Sequence, residues 1–230
     1  MAASPINIGL ILFPRLTQLD LTGPFEVFAR IPNAKVHLIW KTLDPVISDV
    51  GLPIVPTITF DACPDLDVIC VPGGPGMNAL LEDDEVLTFV AREGAKARYV
   101  TSVCTGALVL GAAGLLKGYK AATHWASMDF LAAFGATPVK TRVCIDRNRV
   151  TGGGVTAGID FGLYLAAQLT DRKTAEKIQL YMEYNPEPPF QAGSPETAPA
   201  EVVTEFRGYV SGMLEQRRAA VERAAAKLQT

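Results

Sequence analysis

Cys104 carries the clearest chemical signal in the chain. It ends Tyr99-Val100-Thr101-Ser102-Val103, a β-rich run, and opens Thr105-Gly106-Ala107, a run of small residues. A thiol at such a strand-to-helix turn is a nucleophile elbow. Gly106 and Ala107 leave room for the bend, and the helix that follows aims backbone N–H groups and its dipole at the sulfur. A free thiol with a pKa of ~8.5 is only ~3% thiolate at pH 7. A downward shift of ~3 units, as seen at helix N-termini, makes it mostly thiolate and corresponds to ~4 kcal/mol. The competing reading is a buried structural cysteine, a common fate of this residue type.

Other residues could assist or compete. Cys70 sits mid-strand and reads as core, Cys63 reads as a loop residue in Asp61-Ala62-Cys63-Pro64, and Cys144 falls in a hairpin. Gly73-Gly74 follows a strand and either brings bare amides against a substrate atom, as in an oxyanion site, or makes a plain turn. His124 is the obvious base to suspect beside a nucleophilic thiol, or else a structural histidine next to Trp125. His37 lies within a strand and reads as structural. Asp20 is an acid near the end of the first strand, taken alone a capping or loop carboxylate. No Gly-Lys-Ser/Thr follows the glycines, and Gly152-Gly153-Gly154 lacks a strand-then-helix dinucleotide context. Two histidines and no Cys-x-x-Cys pair give little from which to build a metal site. Neither a cofactor nor a metal is expected.

The elements that must position these residues alternate. Ile6–Phe13, Ala34–Trp40, Asp67–Val71 and Tyr99–Val103 read as strands, the most apolar of them covered on both faces as in a parallel sheet. Thr22-Gly23-Pro24 reads as a helix start with Thr22 as cap. Asp44 to Thr57, with three prolines and Gly51, reads as a small edge hairpin or irregular excursion. Helices are expected over Glu82–Ala97, Thr105–Leu116, Trp125–Phe134, Ala157–Leu169 and Thr174–Tyr184. Arg142–Asp146 and Arg149–Thr151 suggest a hairpin about Arg147-Asn148. Residues 185–200 form a Pro-rich wrapping loop. Residues 201–228 form a long amphipathic helix with Val203, Phe206, Val210 and Met213 along one stripe. The pattern predicts one α/β domain over residues 1–230, core about 6–184. Its mostly parallel sheet is doubly wound, flavodoxin-like or glutamine-amidotransferase-like, and carries a small edge hairpin and the long C-terminal helix. Ligands of such sheets collect at the carboxyl ends of the strands, where Asp20, Gly73-Gly74 and Cys104 fall.

Composition narrows the function. The 230 residues are 49% apolar and 20% charged with a net charge of −3, ordinary for a globular protein and without a field to attract nucleic acid. The N-terminus from Met1 to Pro5 lacks the basic-then-apolar pattern of a signal peptide. The longest apolar run, Val103 to Leu116, is short of the ~20 residues that span a bilayer. A cytoplasmic protein with reduced thiols is expected, with no nucleic-acid or membrane partner.

Gln18-Leu19-Asp20-Leu21-Thr22-Gly23-Pro24, Val71-Pro72-Gly73-Gly74 and Thr101-Ser102-Val103-Cys104-Thr105-Gly106 together resemble the ThiJ/PfpI superfamily, from Ile6 to about Leu169. Ala122-Thr123-His124-Trp125, Thr151 to Asp160 and Pro188 to Pro195 are closer to its isocyanide-hydrating members and extend the likeness over nearly the whole chain. The resemblance implies Cys104 as nucleophile and Asp20 where many members carry a glutamate contacting the cysteine. Thr105 matches a residue that positions water or substrate. Protease-like relatives often have histidine there, and the late His-x-Glu pair of glutamine amidotransferases is missing. The implied reaction is hydration of an isocyanide to an N-substituted formamide without cofactor, by a protein that is usually a homodimer. From chain position, Leu19, Phe25 and Trp125 are expected to line the pocket, and Val155 to limit sliding of the small-residue helix after Cys104. The alternatives are a glyoxalase-like or deglycase-like thiol enzyme of the same superfamily and a ligand-sensing domain. The last usually carries a helix-turn-helix region, for which the one helix after residue 200 is too short.

Overall fold

The computed structural model describes residues 4–228; the signal-peptide reading rests in part on residues 1–3, which lie outside the described residues. Its main sheet has seven strands, β1 (Ile6–Ile11), β2 (Ala34–Trp40), β5 (Ile58–Thr59), β6 (Val68–Val71), β7 (Tyr99–Val103), β10 (Val143–Asp146) and β11 (Arg149–Gly152). Their order is β10-β11-β7-β6-β1-β2-β5. All neighbours run parallel except β10 and β11, the hairpin about Arg147-Asn148. All four residues of β6 are buried, which explains its unbroken apolar sequence: a central parallel strand is covered on both faces. β3 (Val46–Ile47) and β4 (Pro53–Ile54) form the small hairpin as a separate antiparallel pair. β8 (Lys120–Ala121) and β9 (Thr137–Pro138), a short parallel pair, had no sequence signal.

The helices are α1 (Gln18–Phe28), α2 (Met77–Leu80), α3 (Asp84–Lys96), α4 (Gly106–Ala112), α5 (Ala157–Leu169), α6 (Arg172–Tyr181) and α7 (Ala200–Lys227). The chain leaves β1 toward β2 but leaves β6 toward β7 in the opposite direction. Right-handed crossovers therefore put α1 on one face and α3 and α4 on the other. The packing agrees. α1 lies on α5 and α5 on α6, with the rings of Phe28 and Phe161 6.2 Å apart, whereas α4 contacts α3 and α7. The reversal between β1 and β6 opens a crevice at their carboxyl ends, beside the end of β7.

Several boundaries differ from those expected. α1 begins at Gln18, a turn before Thr22, so Gln18-Leu19-Asp20 is helix and not loop. Thr22 does not cap; its hydroxyl bonds back to the Gln18 carbonyl at 3.0 Å, and Pro24 lies inside the helix. α4 stops at Ala112, four residues before the expected end. Trp125–Phe134 is a 3-10 helix. α3 begins at Asp84 because Asp83 caps it, accepting from Val86 N at 3.2 Å.

Candidate active site

β7 carries Cys104 to the crevice and the turn into α4 presents it. The Cys104 N–H donates to the Gly152 carbonyl at 3.0 Å, and the Cys104 carbonyl accepts from Thr123 Oγ1 at 2.7 Å. Pinned at both ends, the residue holds φ at +53°, a left-handed conformation that costs a non-glycine residue free energy and concentrates at functional sites. Gly106 makes the bend possible: a Cβ there would meet the carbonyl oxygens of Val71 and Pro72. Cys104 is 6% exposed, and that sliver borders a cleft of about 940 Å³.

Asp20 stands behind it in the first turn of α1, with no exposure. One carboxyl oxygen, Oδ2, accepts from Gly73 N at 2.8 Å. The other, Oδ1, is buried with no hydrogen-bond partner among the described residues. Burial pushes the Asp20 carboxyl up to about 7, against the pull of the Gly73 N–H and the neighbouring Cys104 thiol. Burial also pushes the Cys104 thiol well up, and the facing Asp20 carboxyl pushes it further; the Thr105 N–H and the Arg217 charge oppose this. The helix N-terminus alone therefore does not produce the depressed thiol expected at an elbow. Buried side by side, the carboxyl pushes the thiol up while the thiol pulls the carboxyl down, so the two acids share a proton and titrate as a pair.

Gly73 and Gly74 serve this pair from behind. Their amides are engaged, Gly73 N by Asp20 and Gly74 N by Thr105 Oγ1 at 3.1 Å, so they do not form the open oxyanion-type donor pair that the sequence suggested. A side chain at Gly73 would fall 2.7 Å from Asp20 Oδ2 and 2.6 Å from Thr105 N, which leaves only glycine at this junction. Because Thr105 Oγ1 accepts there, its O–H remains a donor toward the cleft it borders.

The cleft wall differs from the one expected. Val155 borders it, but Leu19 and Phe25 do not, because a helix that starts at Gln18 turns them away from the face presenting Asp20. Trp125 borders an adjoining groove with His124, Phe206 and Pro195. His124 also reaches the main cleft. Its Nδ1 accepts from Ala126 N at 3.3 Å, and burial together with the Arg217 charge holds the ring below its usual pKa. His37 Nε2 sits 3.1 Å from Asn7 Oδ1, a contact between neighbouring strands. Burial pushes Cys70 up to about 12 and Cys63 to about 11, as expected for inert thiols. Among the described residues, no cluster of three His, Cys, Asp or Glu could hold a metal ion, and no helix is long and apolar enough to cross a membrane.

The outer wall belongs to α7, through Phe206, Tyr209, Met213 and Arg217. Sequence reasoning saw the apolar stripe on this helix but could not place it over the thiol. Arg217 gave no signal among the other cations of the helix.

The DJ-1/PfpI family profile matches residues 7–168. The chain is 57% identical over 223 residues to the isonitrile hydratase of Pseudomonas putida, covering 97% of this chain and 98% of that protein. A likeness of 31% identity to the HTH-type transcriptional regulator GbdR of Pseudomonas aeruginosa covers 76% of this chain but 50% of the regulator. A ThiJ/PfpI family protein from Pseudomonas syringae superposes with a TM-score of 0.92 at 51% identity, covering 95% of this chain and 91% of that one.

Proposed function

The chain belongs to the DJ-1/PfpI family, and from that membership and the geometry of its thiol we propose that it is an isocyanide hydratase. The observation that carries the chemistry is a buried carboxyl with one bare oxygen beside an elbow thiol. Hydration of R–N≡C needs a nucleophile for the terminal carbon and a proton delivered to that same carbon. In the reactive form of the pair the proton sits on Asp20 and the charge on Cys104. The sulfur bonds the carbon while Asp20 gives it the proton, leaving a thioimidate, R–N=CH–S–Cys104. Asp20, now a carboxylate, takes a proton from a water that donor and acceptor groups at Thr105 help to hold. The hydroxide adds to the same carbon and the nitrogen gains the proton. Collapse expels the thiolate and releases R–NH–CHO, and the proton from the tetrahedral hydroxyl returns to the pair. Atoms balance as one isocyanide plus one water. Gly73 holds the acid through its N–H, Gly74 holds Thr105, and Trp125 and Val155 flank the approach.

The protein is one domain over residues 1–230 that acts as a homodimer in the cytoplasm, where its four cysteines remain free thiols. The test is direct. Purified protein is given an alkyl isocyanide in one arm and methylglyoxal in another, and formamide and lactate are followed separately. The expected result is formamide formation, lost below detection in Cys104→Ala. Lactate without formamide would instead place the protein among the glyoxalase-like members.

A further inference from the structure

Arg217 is a buried cation without a counter-ion among the described residues. It is 2% exposed, on the face of α7 turned toward α2 and the 3-10 helix. Nε donates to Asn78 Oδ1 at 2.9 Å, Nη1 to Ser127 Oγ at 2.6 Å, and Nη2 approaches Met213 Sδ at 3.7 Å. All three partners are neutral, and among the described residues Arg217 has no carboxylate partner. Guanidinium groups taken out of water are normally paired, because desolvating a lone charge costs several kcal/mol. This one lies on the wall of the cleft that Cys104 borders.

We propose that Arg217 is a positioning residue of the thiol site: its fixed charge, left unneutralised, supplies the positive field that lets Cys104 become a thiolate beside the Asp20 carboxyl. The proposal takes from the functional reading only that Cys104 is the nucleophile. The other charged and titratable groups around the thiol do not provide that field. Asp20 and Asp49 oppose an anion, and Cys70 is a neutral thiol in the neighbouring strand. His124 is held toward its neutral form, with Arg217 itself contributing. Arg15, at the far rim, is exposed and screened by solvent. A guanidinium suits the task because it holds its charge when buried more firmly than a lysine, which would keep the charge only in part. The interaction is mutual: burial pulls the Arg217 pKa down, the Cys104 thiolate opposes that loss, and the Arg217 charge in turn favours the thiolate.

Alkylation of Cys104 by iodoacetamide, followed by mass spectrometry across pH, reads the thiolate without any isocyanide, so its outcome is separable from hydratase activity. In Arg217→Met the midpoint should rise by about one pH unit, with the rate at pH 7 falling about tenfold. Arg217→Lys should recover part of that loss. Ser127→Ala, which removes one partner but keeps the charge, should follow the unmodified protein. Asn78→Asp keeps the hydrogen bond and neutralises the cation in place, so its midpoint should rise as in Arg217→Met. If circular dichroism shows that Arg217→Met does not fold, Asn78→Asp decides. An unmoved profile in a folded Arg217→Met or in Asn78→Asp overturns the proposal, as does an Arg217→Lys profile no closer to the unmodified protein than that of Arg217→Met.

Discussion

A carboxyl sealed from solvent beside a thiol leaves a pH signature. The Asp20 pKa is raised from 3.8 to about 7, so the folded protein binds this proton more tightly than the unfolded chain. The stability it contributes is fully present below the unfolded value and is lost as pH rises through the folded one. The loss is at most about 4 kcal/mol, since each unit is worth ~1.36 kcal/mol and proton sharing with Cys104 reduces it. Asp20→Asn removes the titration and keeps an acceptor for the Gly73 N–H. The variant should therefore gain stability over the unmodified protein between pH 5 and pH 8, read as a widening difference in Tm. Over the same range its hydration rate should fall by about 10²- to 10⁴-fold, the usual worth of a positioned general acid. Parallel melting curves at the two pH values, or undiminished turnover, would remove Asp20 from the role of proton donor.

At the scale of elements, the loop after β11 is braced while the helix it faces is smooth. Arg142 Nη2 reaches Thr156 Oγ1 at 3.1 Å and Asp160 Oδ2 at 2.6 Å, which fixes the chain on either side of the residues that follow Val155. α4 carries small residues at Gly106, Ala107, Gly111 and Ala112 and begins two residues after the nucleophile. We propose that loss of the sulfur's charge on bonding frees α4 to slide and that Val155 limits the movement. Val155→Ala should change the ratio of the first-turnover burst to the steady-state rate by a few-fold while Cys104 still reacts fully. Identical pre-steady-state and steady-state rates in the two proteins would exclude Val155 from controlling that movement. The strands and the elbow were legible because buried parallel strands and a tight strand-to-helix bend impose strict residue types, as at β6, β7 and Gly106. The start of α1 was not, since Thr22-Gly23-Pro24 imitates a helix start so well; Thr17 and Gln18 carry no such mark. Cys104 and Asp20 stood out by residue type and position, with the acid gaining its meaning from a family likeness. Arg217 was invisible, because only the packing of α7 onto α2, α4 and the 3-10 helix separates it from ordinary surface arginines.

At the scale of the whole molecule, α7 is two helices in one. Its second half is cemented to the helical layer it packs on, α2, α4 and the 3-10 helix, by Ala220, Val221, Ala224 and Ala225, all buried, and by ion pairs from Arg223 to Glu82 and from Lys227 to Asp84. Its first half is different. Val202, Phe206 and Tyr209 recur at helical spacing and are 46%, 38% and 88% exposed. Gly208 and Gly212, one turn apart, flank Tyr209 at the end of this stretch. Each costs an exposed helix about 1 kcal/mol relative to alanine, and a Cβ at either would find no atom of its own chain within 4 Å. Glycines that weaken a helix and fill no internal gap make sense where a second backbone comes close, and an apolar face beside them needs covering. A second copy of α7 crossing antiparallel at Gly208 would meet both needs and would close the cleft from outside, since Tyr209 and Gly212 line it. We propose this isologous arrangement as the place where the copies of the proposed homodimer meet. Gly208→Leu tests it with opposing outcomes. The substitution raises helix propensity and its Cβ enters open space, so the isolated protomer should be no less stable. The added side chain should nevertheless block the crossing, so sedimentation velocity should show a monomer in place of the dimer proposed for the unmodified protein. A variant that sediments as a dimer with a raised Tm would mean that this face of α7 is not where the copies meet.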